Sequence, residues 1–202
     1  MKYITSLIVA SLLLIGGTTT EYKGLKVGDA AIDFNLKNVD GKMVSLNTDA
    51  NAKGYILVFT CNTCPYSKMY EDRLIDLHNK YADQGYPVLA IQPNSPEKSP
   101  GDSYPLMQER AKDKGFPFAY VMDETQETTI AYGATNTPHV YVLNKEGSSF
   151  NVAYIGAIDN NSRDASRVTR KYVEEAVDAL MGGQSVGTTD TKAIGCTIKW
   201  AN

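Results

Sequence analysis

Two periods of hydrophobic spacing alternate along this chain. Ile32 to Leu36 places apolar residues at every second position, Asp40-Gly41 offers a tight turn, and Met43 to Leu46 alternates again, which predicts a short β-hairpin. Tyr55 to Thr60 is a continuous apolar and β-branched run, the mark of a buried strand, and from about Cys64 to Ala82 the spacing changes to the helical period. Tyr66, Met69, Tyr70, Arg73, Leu74, Leu77 and Tyr81 make the stripe predicted to face the core, with Gly85 ending the helix. Val88 to Gln92 is a second buried strand. A helix from about Ser103 to Lys114 stops at Gly115, Phe118 to Met122 makes a third strand, and Glu124 to Tyr132 a short helix ended by Gly133. Val140 to Leu143 and Val152 to Ala157, joined by a turn at Lys145-Glu146-Gly147, form a second hairpin. A last helix spans about Asp164 to Met181, with Val173, Ala176, Val177 and Leu180 on one face and Gly182-Gly183 beyond it. Strands alternating with helices predict one α/β domain over about residues 25–183, a mixed sheet flanked by helices on both faces, led by a β-hairpin.

Three stretches break this rhythm. Residues 1–20 carry Lys2, an apolar run from Ile4 to Ile15, and then Gly16, Gly17 and Thr18. The run is shorter than the roughly 20 residues of a bilayer span, so it predicts a cleaved secretory signal and an exported protein, periplasmic or extracellular; a buried helix or an uncleaved anchor is the competing reading. Between the second strand and the following helix, Pro93 to Pro105 holds four of the eight prolines together with Asn94, Ser95, Ser99, Gly101 and Asp102. Connections of this kind usually take two to six residues, so a loop this long at the C-terminal edge of a strand is expected to serve the site. Residues 184–202 form a tail in which Ile194, Cys196, Ile198 and Trp200 alternate with Gly195, Thr197 and Lys199, a period-two pattern predicting a short terminal strand.

Composition narrows the function. Hydrophobic content of 43% and charged content of 21% are those of an ordinary globular chain, and a net charge of −3 with scattered Lys and Arg gives no surface for nucleic acid and none for a membrane beyond the leading segment.

The candidate chemistry is the pair Cys61 and Cys64 in GYILVFTCNTCPYSKM, where the first long strand hands over to a helix. Unpaired backbone N–H groups and the positive end of the helix dipole would stabilise a thiolate on Cys61, and Cys64, one turn inside the helix, would lie close enough to form a disulfide with it. Half of a zinc site and an inert structural disulfide are the alternatives. For zinc the remaining ligands are the scattered Cys196, His78 and His139, so neither a metal nor another cofactor is expected. His78 lies too far along its helix to serve the cysteines as a base. In an oxidising compartment Cys61 and Cys64 would cycle with a thiol electron donor or acceptor or rest as a disulfide, leaving Cys196 unpaired. Cys196 is read either as a packed thiol on a docked tail or as a resolving cysteine on a mobile arm; the tail is long enough to reach Cys61.

This order of elements, with CxxC on the first long helix and Thr137-Pro138 opening a later strand, resembles the thioredoxin fold. FNLKNVDGKMVSL, FTCNTCPYSK and DETQETTIAYGATNTP resemble the alkyl-hydroperoxide-reductase and thiol-specific-antioxidant branch, the peroxiredoxin-like redoxins, and GCTIKW is similar to the tail of redoxins carrying a CNxCP motif. The resemblance implies a thiol–disulfide oxidoreductase in which Cys61 is the nucleophile and Cys64 resolves it. Pro138 would be a cis-proline beside them, and the backbone of Thr137 would bind an extended substrate. A thiol peroxidase acting on peroxides is the second implied activity, and a non-catalytic binding module the third. The chain departs from thioredoxin in having Thr60 for the Trp before the first cysteine, Asn62-Thr63 for the Gly-Pro between the two, and Tyr55 where a buried acid stands. It lacks the Pro-x-x-x-Thr-x-x-Cys of peroxidatic cysteines.

Overall fold

A computed structural model describes residues 24–201, so the segment read as a secretory signal lies outside the described residues. The strands are β1 (Leu36–Asn38), β2 (Met43–Val44), β3 (Gly54–Phe59), β4 (Val88–Gln92), β5 (Ala119–Met122), β6 (Asn136–Thr137), β7 (His139–Glu146), β8 (Ser149–Gly156) and β9 (Cys196–Thr197). The α-helices are α1 (Pro65–Tyr81), α2 (Tyr104–Lys114), α3 (Glu127–Tyr132) and α4 (Tyr172–Met181). Seven strands form one sheet in the order β2-β1-β5-β4-β3-β7-β8. β3, β4 and β5 run parallel, as the helical crossovers between them require, while β7 and β8 close one side and β1 and β2 the other in antiparallel register. This is the expected mixed α/β architecture with its leading hairpin, here joined to the main sheet through Lys37 opposite Met122 and Asn38 opposite Val121.

The alternation along the central strands divides the core in two. Ile56, Val58, Val88, Ala90, Val140 and Val142 point to the face covered by Tyr70, Leu74 and Leu77 of α1, Met107 of α2 and Val173 and Val177 of α4. Tyr55, Leu57, Phe59, Leu89, Ile91, Tyr141 and Leu143 point to the other, covered by Phe34, Leu46, Tyr132 of α3 and Ile198 of the tail. β3 is buried over its full length because both of its faces are covered. Gly115 and Gly133 end α2 and α3 in the left-handed conformation, at φ 62° and 75°.

Two expectations need correction. The buried side of α1 is Ser67, Tyr70, Glu71, Leu74, Leu77 and Tyr81, not the stripe through Tyr66 and Met69, and Met69 is exposed. The helix is rotated because Glu71 is buried in a bidentate pair with Arg110 of α2, both bonds 2.7 Å, with Lys114 at 3.3 Å. A charge on the core side is invisible to hydrophobic periodicity. The last helix begins at Tyr172 rather than near Asp164. Asn160 closes the intervening loop, its side-chain oxygen accepting the N–H groups of Thr169 and Arg170 at 3.0 and 3.1 Å, which ties up the backbone that a longer helix would use.

Candidate functional site

The site lies where the C-terminal ends of β3 and β4 meet the start of α1. Pro65 occupies the first helical position, where its missing N–H costs nothing, so Cys64 is the residue preceding the helix rather than one turn inside it. Cys61 lies two residues beyond the end of β3, after Thr60. Both cysteines are 3% exposed. Thr137 lies against both sulfurs: its hydroxyl is 3.3 Å from Cys61 Sγ and its carbonyl oxygen 3.1 Å from Cys64 Sγ. The Thr137–Pro138 peptide bond is cis. The structure therefore brings all four candidate residues, Cys61, Cys64, Thr137 and Pro138, to one place.

Cys64 is joined by a disulfide to Cys196, with Cα atoms 5.9 Å apart, and Cys61 is the free thiol. This is not the pairing expected of two cysteines three apart, and Cys196 is not a spare packed thiol. The tail returns across the site, and β9 pairs antiparallel with β6, setting Cys196 opposite Thr137 and Thr197 opposite Asn136. A cross-strand position opposite Thr137 brings Cys196 within reach of Cys64, whose sulfur already touches the Thr137 carbonyl.

Asp102, in the Pro93–Pro105 loop, is fully buried beneath the Cys61–Cys64 turn. Its Oδ1 accepts the backbone N–H groups of Asn62 and Thr63 at 2.8 and 3.0 Å. Its Oδ2 accepts from Thr63 Oγ1 at 2.8 Å, Ser99 Oγ at 2.6 Å and Asn94 Nδ2 at 2.8 Å. The Asn62 and Thr63 N–H groups are thus committed to a carboxylate, and the turn is held from below. Asn62 is fixed from its other side by Tyr120, whose hydroxyl donates to Asn62 Oδ1 at 3.0 Å. Burial pushes the Tyr120 phenol far above its usual range, so it remains a neutral donor beside Cys61.

Asp102 was not singled out as a site residue, although the length of its loop pointed to the right segment. Tyr55, at the place of the missing acid, donates its hydroxyl to the Leu46 carbonyl at 2.9 Å, and burial raises it to about 12. His78 accepts from the Val88 N–H at 3.3 Å and packs on Phe118, a structural role away from the cysteines. His139 is buried under the tail side of the sheet, where loss of hydration lowers it to about 4.

A family model described as AhpC/TSA family matches residues 27–149, more than half the chain. The protein belongs to the AhpC/TSA family. It is a thioredoxin-fold redoxin, and a thiol-disulfide oxidoreductase from Bacteroides fragilis superimposes at TM-score 0.53 with 17% identity over 63% of this chain and 89% of that one. A structure described as an uncharacterized conserved protein from Geobacillus kaustophilus is nearer, at TM-score 0.81 and 34% identity over 89% of this chain and 94% of that one. Among curated proteins, the thiol-disulfide oxidoreductase ResA of Halalkalibacterium halodurans is 27% identical over 123 residues, covering 60% of this chain. The match spans 65% of the length of that relative.

Proposed function

We infer that this redoxin is an exported thiol–disulfide oxidoreductase, acting on protein or small-molecule disulfides and exchanging electrons with a separate thiol partner. The observation that carries the reading is the convergence of three cysteines on one strand edge: Cys61 and Cys64 at the head of α1, and Cys196 held opposite Thr137. Cys61, as thiolate, attacks one sulfur of the substrate disulfide and forms a mixed disulfide, while the other substrate sulfur leaves as thiolate. Cys64 then attacks Cys61 Sγ and releases the second substrate thiol, leaving Cys61 and Cys64 oxidised. Thr137 and Pro138 offer the backbone edge along which an extended substrate would lie. The division into a domain over residues 25–183 and a tail over 184–202 follows the same reading, the tail lying across the site and anchored in the core by Ile198. Export is supported by the composition of residues 1–20.

Insulin reduction with a thiol donor tests the assignment. Cys61→Ser abolishes turnover and Cys64→Ser accumulates trapped mixed disulfides; full turnover by Cys61→Ser refutes it. Fractionation of cells expressing the full chain tests export, which a purely cytosolic location overturns.

A further inference from the structure

The tail lies where a substrate should. β9 is antiparallel to β6 and places a cysteine opposite Thr137, the register an extended cysteine peptide would adopt on that edge. Gly195 is what permits the approach: a Cβ there would stand 2.1 Å from the Thr137 carbonyl oxygen and 2.6 Å from its carbon. The remaining hydrogen bonds all engage the backbone of the strand, and Asn136 Nδ2 donates to Gly195 O at 3.2 Å, Gln126 Nε2 to Lys199 O at 3.1 Å and Ala201 N–H to Gln126 Oε1 at 2.7 Å. Ile198 N–H donates to Thr135 O at 3.2 Å, Ser95 N–H to Lys199 O at 2.8 Å, and Lys199 N–H to Asn94 Oδ1 at 2.9 Å. Ile198 is buried in the core, while Ile194 and Trp200 are 52% and 41% exposed, so the strand is held by one apolar anchor and its backbone, as an extended peptide is held on a strand edge. Asn94 ties the tail to the turn beneath the cysteines, since its amide nitrogen donates to Asp102, which holds the Asn62 and Thr63 N–H groups.

Resting on the oxidoreductase reading, we propose that the tail is a built-in competitor for the substrate strand and Cys196 the third member of the redox centre. With Cys64–Cys196 formed, the substrate edge is covered and Cys61 is shut away. Opening is an internal exchange. The Cys61 thiol gives its proton to solvent, and its thiolate attacks Cys64 Sγ. The Cys61–Cys64 bond forms as the Cys64–Cys196 bond breaks, and the electron pair leaves on Cys196, which takes up a proton. No oxidant or reductant is consumed. The freed tail can then leave Thr137, so an extended peptide bearing a cysteine competes with it for the same edge.

Disulfide mapping by mass spectrometry, on the chain equilibrated with a glutathione buffer and acid-quenched, tests this. A second readout is the single-turnover rate with a synthetic extended peptide bearing a reduced cysteine, whose thiolate attacks Cys61 Sγ of the 61–64 disulfide and expels Cys64 as thiolate. The wild type and Cys61→Ser yield the 64–196 crosslink. Cys196→Ser shifts the crosslink to 61–64. Gly195→Ala keeps all three cysteines, loses the 64–196 crosslink in favour of 61–64, and reacts with the peptide at least about tenfold faster than wild type, because an intramolecular competitor at roughly millimolar effective concentration is removed. Should Cys196→Ser fail to fold, Gly195→Ala decides alone. A wild type crosslinked only 61–64 with Cys196 open to alkylation, or a Gly195→Ala variant no faster than wild type, overturns the proposal. Insulin turnover by the wild type reports separately on the oxidoreductase reading.

Discussion

Removing the Asp102 carboxylate is the severest test of how the Cys61–Cys64 turn is held. In Asp102→Ala five donors lose their acceptor. The Thr63 and Ser99 hydroxyls, 3.3 Å apart, can turn toward each other, and Thr63 is exposed enough for its N–H to find water. The Asn62 N–H and the Asn94 amide cannot do either, because both residues are buried, at 8% and 4% exposure. Leaving a buried donor unpaired costs about 1–3 kcal/mol, so two of them amount to about 4 kcal/mol, a large part of the about 5–15 kcal/mol by which a domain is stable. With a urea dependence of about 2 kcal/mol per molar, the midpoint of unfolding falls by about 2 M. Asp102→Asn is milder in energy and more informative about coupling. Its remaining oxygen serves the two backbone N–H groups, and its new amide faces the Asn94 amide, donor against donor. Turning Asn94 over relieves this only by withdrawing the oxygen that accepts from Lys199 N–H. The amide of Lys199 should therefore exchange hydrogen faster in Asp102→Asn while amides of β3 are unchanged. A loss below about 1 kcal/mol in the alanine variant, or an unaltered Lys199 amide in the asparagine variant, refutes this account of the network.

The disulfide gives an upper bound on stability. Its sequence separation of 132 corresponds to about 5 kcal/mol of loop-closure entropy, so reduction should lower the melting temperature by up to about 10–20 °C if it remains closed in the unfolded chain, and calorimetry with and without dithiothreitol measures it. His139 makes stability depend on pH. Its folded value of about 4 lies below the ordinary 6.5, so the unfolded chain binds the extra proton between these values; Asp190, which faces it, opposes only part of the shift. This contribution is complete above about pH 6.5 and lost progressively down to about pH 4, about 3 kcal/mol in all, and urea titrations across that range should lose this slope in His139→Gln. Glu71→Gln breaks the buried pair with Arg110 and should cost about 3 kcal/mol, whereas the surface pair of Lys42 and Asp40 can be removed for less than about 0.5 kcal/mol; chemical denaturation of the two variants separates these cases.

Much of this protein is local in origin, and that part was legible in its sequence. Strands β3 and β4 are read directly from unbroken apolar runs, since a strand buried on both faces has no polar side to display. The ends of α2 and α3 follow from Gly115 and Gly133, because each rests on the conformational range of a single residue. Cys61, Cys64, Thr137 and Pro138 were recognisable as candidates because their spacing and order resemble a known fold.

What only the tertiary structure decided involves partners far apart in the chain. The rotation of α1 depends on Glu71 meeting Arg110, 39 residues away, and the clamp on the cysteine turn on Asp102, 40 residues from Asn62. Cys64 takes Cys196 because an antiparallel register between β6 and β9 sets that residue opposite Thr137, and because Gly195 alone lets the tail approach so closely. Hydrophobic spacing records which side of an element is buried but not which charge, strand or sulfur waits on the other side. Those pairings are a property of the assembled chain.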